Sequence, residues 1–134
     1  MTATLVDSNV LLDIATDDST WGRWSADALA RCADEGPLVI NAVIYAEVST
    51  GYDRIEDLEA VLDIATFERQ HVPYDAAFLA GKAFLRYRRR RGAKTGVLPD
   101  FFIGAHAALA GLRLLTRDAS RYRTYFPTVR LISP

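Results

Sequence analysis

The stretch LVDSNVL at residues 5–11 constrains the fold more than any other part of this chain. A short apolar run rich in β-forming residues ends on Asp7, a polar pair follows, and apolar residues resume at Val10, Leu11 and Ile14. This pattern predicts a strand, a sharp corner and the start of a helix, with Asp7 at the carboxyl end of the strand. Ligands of open α/β sheets bind beyond the carboxyl ends of the strands, so Asp7 is the first candidate functional residue.

Short apolar runs and amphipathic stretches alternate along the rest of the chain. The run LVI at residues 38–40 is typical of a strand buried in a parallel sheet, and Asn41 after it is expected to cap a helix. Strands are predicted at residues 4–6, 38–40, 67–72, 112–116 and 129–132. Helices are predicted from about residue 8, at 20–35, 42–50, 55–66 and 75–91, and at 101–109, where Asp100 opens the helix. We therefore expect one domain over residues 1–134 with an α/β fold, a three-layer α/β/α sandwich around a mostly parallel central sheet.

The charges are divided unevenly along the chain, although the net charge is only −1. Residues 1–75 hold 15 Asp and Glu against 4 Lys and Arg, whereas residues 76–134 hold 2 against 12. Such asymmetry indicates a polyanionic partner for the basic half. No apolar run approaches the roughly 18 residues of a membrane span, and the N-terminus carries no signal-type pattern. We expect a cytoplasmic protein without a membrane partner, in which the single Cys32 is a buried, unreactive thiol.

Four acidic residues lie where a solvated surface position explains them poorly: Asp7, Glu47, Asp100 and Asp118. Two of them follow predicted strands, one opens a predicted helix, and Glu47 stacks one turn from Ile44 on an apolar helix face. Each also has a structural alternative. Asp7 and Asp100 could serve only as helix caps, and Asp118 only as a turn residue. Glu47 could pair with a buried arginine.

Together these four acids indicate a metal site. A parallel sheet brings the ends of its elements to one edge, where crowded carboxylates repel and raise one another's pKa values. A divalent cation bound between the carboxylates offsets their repulsion. A set of oxygen ligands without Cys or a pair of His suits Mg²⁺ or Mn²⁺ rather than zinc.

The motifs around the four acids resemble those of PIN-domain ribonucleases, over essentially the whole chain. The resemblance rests on VDSN at residues 6–9, IYAE at 44–47, DFFIGAHA at 100–107 and TRD at 116–118. Within the family the chain is most similar to the VapC toxins of bacterial and archaeal toxin–antitoxin pairs. Ser8 stands where threonine is frequent in the family, and the helix that carries Trp21 and Trp24 is individual to this chain.

The resemblance implies a PIN-like endoribonuclease that depends on Mg²⁺ or Mn²⁺ and that inhibits translation or growth as a toxin. It implies that the four acids are the catalytic residues and coordinate one or two metal ions, and that Asn9 and Thr116 support them by positioning a ligand or water. It also implies a cognate antitoxin protein and a homodimer. Attack by water rather than by the RNA 2′-hydroxyl leaves a 5′-phosphate and a 3′-hydroxyl.

A run of cations precedes Asp100, and it contains no acid: Lys82, Arg86, the four arginines at 88–91, and Lys94. The dipole at a helix end favours one or two cations, but four consecutive arginines exceed that need. We therefore predict RNA contacts with salt-dependent affinity from Arg86, Arg88, Arg89, Arg90, Arg91, Lys94 and Arg117. Arg113, Arg121 and Arg123 are expected to extend this surface, with Tyr122 and Tyr125 stacking on unpaired bases. An acidic antitoxin segment is the alternative occupant.

Two other functions remain open on the sequence alone. Asp7 could be the nucleophile of a metal-dependent phosphatase or phosphoacceptor domain. Haloacid-dehalogenase-like phosphatases, however, require an aspartate where this chain has Asn9, and the TRD motif contains no receiver-type lysine. A non-catalytic RNA-binding module would not require the inward Glu47. Ser8 and His106 indicate no catalytic triad, since Ser8 is expected to cap a helix and His106 to face a neighbouring element or solvent.

Overall fold

The computed structural model describes residues 1–90 and 97–134, and five short strands form one sheet within them. The strands are β1 (Thr4–Val6), β2 (Leu38–Ile40), β3 (Phe67–Arg69), β4 (Arg113–Leu115) and β5 (Leu131–Ile132). Their order is β3-β2-β1-β4-β5, and the four pairings are all parallel. Every residue of β1, β2 and β4 is buried. Because side chains alternate between the two faces of a strand, both faces of the sheet are covered, and the predicted α/β sandwich is confirmed.

Seven helices connect and cover these strands in the described part of the chain. They are α1 (Ser8–Ala15), α2 (Gly22–Glu35), α3 (Ala42–Ser49), α4 (Ile55–Val61), α5 (Tyr74–Arg89), α6 (Leu98–Ala110) and α7 (Ser120–Tyr125). Asn41 caps α3 as predicted, because its Oδ1 accepts a hydrogen bond from the amide of Ile44 at 2.9 Å. Cys32 is buried in the core, also as predicted. No helix of residues 1–90 and 97–134 is long and apolar enough to cross a membrane.

The predicted helix over residues 55–66 is wrong in its second half. The helix α4 ends at Val61, and Leu62 leaves helical geometry with φ −98° and ψ 45°. Asp63 then organises a turn, since its carbonyl oxygen accepts a hydrogen bond from the amide of Phe67 at 2.8 Å. This turn leads into β3, so pairing with β2 overrides the helical pattern. Ile55 and Val61, which the helical pattern places on the buried face, are exposed.

Two helices of the carboxyl half that carry site residues also differ from prediction. The helix α6 begins at Leu98, which places Asp100 in its first turn rather than at its cap. Pro99 is compatible with that start, because first-turn residues lack an intrahelical amide partner. The helix α7 is absent from the predicted elements. Its sequence SRYRTY carries no apolar periodicity, and it buries only Tyr122.

The central strand β1 sets the position of the functional edge. Its register pairs Val6 with Leu115 of β4, so the next residues, Asp7 and Thr116, meet at the carboxyl edge of the sheet. The Asp7 amide donates a hydrogen bond to the Leu115 carbonyl at 2.9 Å, and the Thr116 amide donates one to Ile132 at 3.0 Å. The parallel ladder therefore holds both residues in fixed positions.

Candidate active site

Asp7 lies at the centre of a hydrogen-bond network at the carboxyl edge of the sheet. Its side chain is the N-cap of α1, and Oδ1 accepts the Ser8 amide at 2.7 Å. Oδ2 accepts the Thr116 hydroxyl at 2.9 Å and the Tyr122 hydroxyl at 2.8 Å. Only 3% of the residue is exposed. Burial, opposed mainly by the hydrogen bond from Tyr122, raises the pKa of Asp7 to about 6.

Glu47 and Asp100 approach Asp7 from two neighbouring helices. Glu47 projects from α3, and its Oε1 accepts the Ser8 hydroxyl at 2.9 Å. Asp100 projects from the first turn of α6, and its Oδ2 lies 2.5 Å from Nη1 of Arg121. Burial is the main cause that raises the pKa of both Glu47 and Asp100. The charge of Asp100 further raises the pKa of Asp7 and of Glu47, so the three carboxylates repel one another.

Asp118 lies at the outer side of this group. The residue is exposed and follows β4. Its Oδ1 accepts the Ser120 hydroxyl at 3.4 Å, and its amide donates to the Thr116 hydroxyl oxygen at 3.2 Å. The charge of Asp118 contributes to the raised pKa of Asp100, so the fourth acid also acts on this group.

Asn9 and Thr116 bridge α1 to the loop after β4. The Asn9 Nδ2 donates to the Thr116 hydroxyl oxygen at 3.2 Å and lies 3.5 Å from Oδ2 of Asp7. The Asn9 Oδ1 accepts the backbone amide of Arg117 at 3.1 Å. The structure thus brings both residues against Asp7, where they fix the orientation of its carboxylate.

Tyr122 is a site residue that the sequence pattern does not reveal. The expectation that it stacks on bases is wrong, because it is 2% exposed and its hydroxyl donates to Asp7. Burial, reinforced by the charge of Asp7, raises its pKa well above the ordinary value, so the hydroxyl keeps its proton. No local signal identifies it, because the SRYRTY segment carries no apolar periodicity and Asp7 lies 115 residues away in the sequence.

Two arginines expected on the RNA surface form ion pairs with acids outside the proposed metal site, the buried Asp13 and the exposed Glu35. Arg117 forms a two-pronged ion pair with the buried Asp13, with Nε at 2.7 Å and Nη2 at 3.0 Å from its oxygens. Arg113 is buried, donates to the Thr4 hydroxyl and pairs with Glu35 at 3.3 Å. The expectation that Arg113 extends the basic surface is therefore wrong, and Arg117 holds the loop after β4 against α1.

Most of the exposed cations of the basic run lie at the end of α5. Arg86, Arg88, Arg89 and Arg90 are exposed, whereas Arg91 and Lys94 lie outside the described residues. A cleft of about 390 Å³ separates this end of α5 from α7; its lining comprises Arg86, Arg89, Arg90, Thr124 and Tyr125. The Arg86 guanidinium lies 6.0 Å from the centre of the Tyr125 ring. The structure thus brings cations and an aromatic ring together beside α7.

Ser8 and His106 occupy structural positions rather than a triad. Ser8 is the first residue of α1 and not its cap, so that expectation is wrong; its hydroxyl holds Glu47. His106 is buried, with Nδ1 2.9 Å from Asn41 Nδ2 and Nε2 3.1 Å from Gln70 Oε1. Burial lowers the pKa of His106, which favours the neutral ring.

The donor chemistry of this site fits a hard divalent cation. All four acids offer oxygen ligands, and three of them carry raised pKa values because their charges are buried and close together. Among residues 1–90 and 97–134, no three Asp, Glu, His or Cys side chains converge closely enough to hold an ion as they stand. The same acids have other partners in this structure: Arg121 pairs with Asp100, and hydroxyl groups donate hydrogen bonds to Asp7 and Glu47.

Comparison with known proteins identifies relatives of this fold. A sequence-family model described as "PIN domain" matches residues 4–127. The structure of VapBC2 from Rickettsia felis, bound to a promoter DNA fragment, superposes with a TM-score of 0.75 at 15% identity, covering 99% of both chains. The structure of VapBC-1 from nontypeable Haemophilus influenzae superposes with a TM-score of 0.74 at 14% identity, covering 98% of each chain. The structure of FitAcB from Neisseria gonorrhoeae superposes with a TM-score of 0.67 at 17% identity, covering 96% of each chain. A search of curated proteins finds no significant match. At these identities the solved structures establish the shared fold.

Proposed function

This chain belongs to the PIN domain family, and from that premise we propose that it is a Mg²⁺- or Mn²⁺-dependent endoribonuclease that hydrolyses RNA phosphodiesters. The observation that carries the proposal is the mutual repulsion of Asp7, Glu47 and Asp100 at the carboxyl edge of the sheet. Buried carboxylates that repel one another destabilise a fold. Their presence is accounted for by a cation that binds them together.

Asp7, Glu47, Asp100 and Asp118 would hold the cation. When bound, the ion lowers the pKa of a nearby water and stabilises negative charge on the phosphodiester. The chain's own residues prepare this site. Tyr122, Thr116 and Asn9 orient the carboxylate of Asp7, and Ser8 orients Glu47. We propose that water is the attacking group, so the products carry a 5′-phosphate and a 3′-hydroxyl.

The exposed arginines of α5 are proposed to bind the RNA backbone. Arg88, Arg89 and Arg90 are exposed, and none of them forms an ion pair within the described residues. Uncompensated cations favour a polyanion, with counterion release on binding. Arg91 and Lys94 are proposed to continue this surface. A triple substitution of Arg88, Arg89 and Arg90 by Gln should lower the slope of log affinity against log salt by about 2, because each neutralised phosphate of a single strand adds about 0.7 to that slope.

A matched control is the triple substitution of Arg23, Arg31 and Arg54 by Gln, which removes the same charge from surfaces away from α5. We expect its salt slope to stay at the wild-type value. Equal slopes for the two triple variants would contradict the proposed RNA surface. The measurement is fluorescence anisotropy with single-stranded RNA in EDTA, which prevents cleavage during the titration.

We further propose that the enzyme is the toxin of a toxin–antitoxin pair, acts in the cytoplasm, binds a cognate antitoxin and forms a homodimer. The support is the kind of assembly in which similar folds occur, VapBC and FitAB complexes. Large apolar side chains also lie exposed on α4, α5 and the turn between α4 and β3, namely Ile55, Ile64, Tyr74 and Phe78. A contiguous patch of such side chains marks a surface that a partner covers, and we propose that these form part of one. Light scattering should give twice the 14.9 kDa mass of the chain, and a monomer would contradict the homodimer.

The decisive experiment compares RNA cleavage by the purified wild-type protein with that by the Asp7→Asn and Asp100→Asn variants. Cleavage should require Mg²⁺ or Mn²⁺, stop in EDTA and fall at least about 100-fold in either variant, because each removes a proposed ligand. Asp34→Asn is the control, since Asp34 is exposed on α2. Undiminished cleavage by both site variants would contradict the site. Phosphate release from small phosphomonoesters with RNA left intact would instead favour a phosphatase.

A further inference from the structure

The helix α7 places Arg121 directly against the acidic site. Nη1 of Arg121 lies 2.5 Å from Oδ2 of Asp100, and the guanidinium carbon lies 5.7 Å from the centre of the Tyr87 ring. The Arg121 and Asp100 side chains are 25% and 30% exposed. The pair is therefore accessible to a small ion and to a substrate, and it is not locked in the core.

This pair differs from the other ion pairs of the described residues. It is the only one of them that involves any of the four proposed metal ligands. Within residues 1–90 and 97–134, Arg121 thus supplies the one positive charge that is paired with the repelling carboxylates. A metal cation entering the same group of oxygens would repel the guanidinium and compete for Asp100.

Arg121 also has other contacts available on leaving Asp100. It lies over Tyr87, whose ring packs 5.5 Å from Phe101 and 6.1 Å from Tyr125. An aromatic face is a favourable surface for a guanidinium. The planar donors of arginine also match the oxygens of a phosphate. From this position on α7, one residue from Tyr122, the side chain stays beside the site after its pair is broken.

We propose that Arg121 is an exchangeable counter-ion that pairs with Asp100 in the metal-free protein, yields that carboxylate to the divalent ion, and then binds the substrate phosphate. This inference rests on the proposed function in taking the acidic group as the metal site. It adds a specific residue and a coupling, in which metal binding releases the cation that recognises phosphate. Metal and phosphate therefore bind with positive cooperativity, while Arg121 itself opposes metal binding.

The test measures two affinities in the full-length protein with Arg121→Gln. Isothermal titration with Mn²⁺ alone should show about three- to fivefold tighter binding in the variant, the value of a partly exposed ion pair that no longer competes. Titration with uridine 5′-monophosphate at saturating Mn²⁺ should show about tenfold weaker binding, because a charge-assisted hydrogen bond to the phosphate is removed. A purely structural role for Arg121 predicts weaker binding of both ligands.

Arg31→Gln is the matched control, because Arg31 lies exposed on α2 near the end of that helix, which leads into the amino end of β2 and so lies away from the carboxyl edge of the sheet. It removes the same charge and should leave both affinities within about twofold of wild type. Equal or weaker Mn²⁺ binding in Arg121→Gln, or an equal gain in Arg31→Gln, would overturn the competition. Unchanged nucleotide binding would overturn the phosphate role. If neither wild type nor variant binds Mn²⁺, the metal site and the proposed function fail with it.

Discussion

Replacing Asp7 by Asn should stabilise the fold while abolishing activity. Asp7 ionises with a pKa near 3.8 in the unfolded chain and about 6 in the folded protein. The folded state therefore holds the Asp7 proton more tightly, and stability falls as the pH rises from about 4 to about 6. At pH 7 the carboxylate is charged in both states and the destabilisation is complete. Asn is neutral at every pH and avoids it.

The magnitude follows from the shift in the pKa of Asp7. A shift of about 2 units, at about 1.36 kcal/mol per unit, corresponds to roughly 3 kcal/mol of destabilisation at pH 7. Asn keeps one acceptor oxygen, and the Thr116 and Tyr122 hydroxyls already share the single oxygen Oδ2 of Asp7. With that oxygen kept for them, the new NH₂ group faces the Ser8 amide, and loss of this N-cap hydrogen bond costs about 1–2 kcal/mol. The net expectation at pH 7 is a gain of about 1–2 kcal/mol, or about 4–7 °C in Tm for a chain of this length.

The assay is chemical denaturation at fixed protein concentration in EDTA, at pH 4 and at pH 7.5. The Asn variant should be the more stable protein at pH 7.5 and lose that advantage at pH 4, where wild-type Asp7 is protonated. Added Mg²⁺ should stabilise the wild type alone, and so reduce the difference in free energy of unfolding between the wild type and the Asn variant. A variant that is less stable than wild type at pH 7.5, or a difference that does not change with pH, would refute the reasoning.

Asp13→Asn provides a control of opposite sign on the same helix. Asp13 is buried like Asp7, but it is paired with Arg117 through two short contacts. Neutralising it removes the partner of that guanidinium, and we expect a destabilisation of about 2–3 kcal/mol at pH 7.5. Stability changes of opposite sign in Asp7→Asn and Asp13→Asn would distinguish a carboxylate that serves function from one that stabilises the fold.

Two further predictions concern core packing and the pKa of Asp7. Gly104→Ala should lower the free energy of unfolding by about 1–3 kcal/mol in denaturation, because a Cβ there would overlap the Phe126 ring. Gly81 faces open space on α5, so Gly81→Ala should instead raise the free energy of unfolding by about 0.5–1 kcal/mol. Equal effects of the two substitutions would contradict the packing of Gly104 against Phe126. Tyr122→Phe should raise the pKa of Asp7 above about 6, since the hydroxyl that it removes stabilises the carboxylate; carbon-detected NMR titration of the Asp7 carboxyl checks this, and an unchanged or lower pKa would contradict it.

The sequence predicted the elements whose signals are local. The runs at 4–6 and 38–40 form strands with those bounds, because each apolar run is followed by a polar residue, Asp7 or Asn41, that begins the next turn of chain. Asn41 could be recognised as a cap because capping involves neighbours only three residues away. The topology of a parallel sheet also led us to expect that Asp7, at the end of the first strand, lies at the same edge of the sheet as the turn that carries Asp118.

Features that depend on distant partners could not be predicted in this way. The end of α4 is set by the pairing of β3 with β2, which overrides a helical pattern continuing to residue 66. The partners of the arginines lie far away in sequence: Asp13 is 104 residues from Arg117, and Asp100 is 21 from Arg121. A charge count along the chain treats both arginines alike, whereas the fold places one in a structural pair and the other beside the acidic site.

The central claim is that the acids around Asp7 form a metal site that activates water for RNA cleavage, and the ends of the cleaved RNA test it most directly. Mass spectrometry of the products should find 5′-phosphate and 3′-hydroxyl ends in Mg²⁺ or Mn²⁺, and no cleavage in EDTA or with Asp7→Asn. Cyclic 2′,3′-phosphate ends, or cleavage that persists in EDTA, would contradict the account.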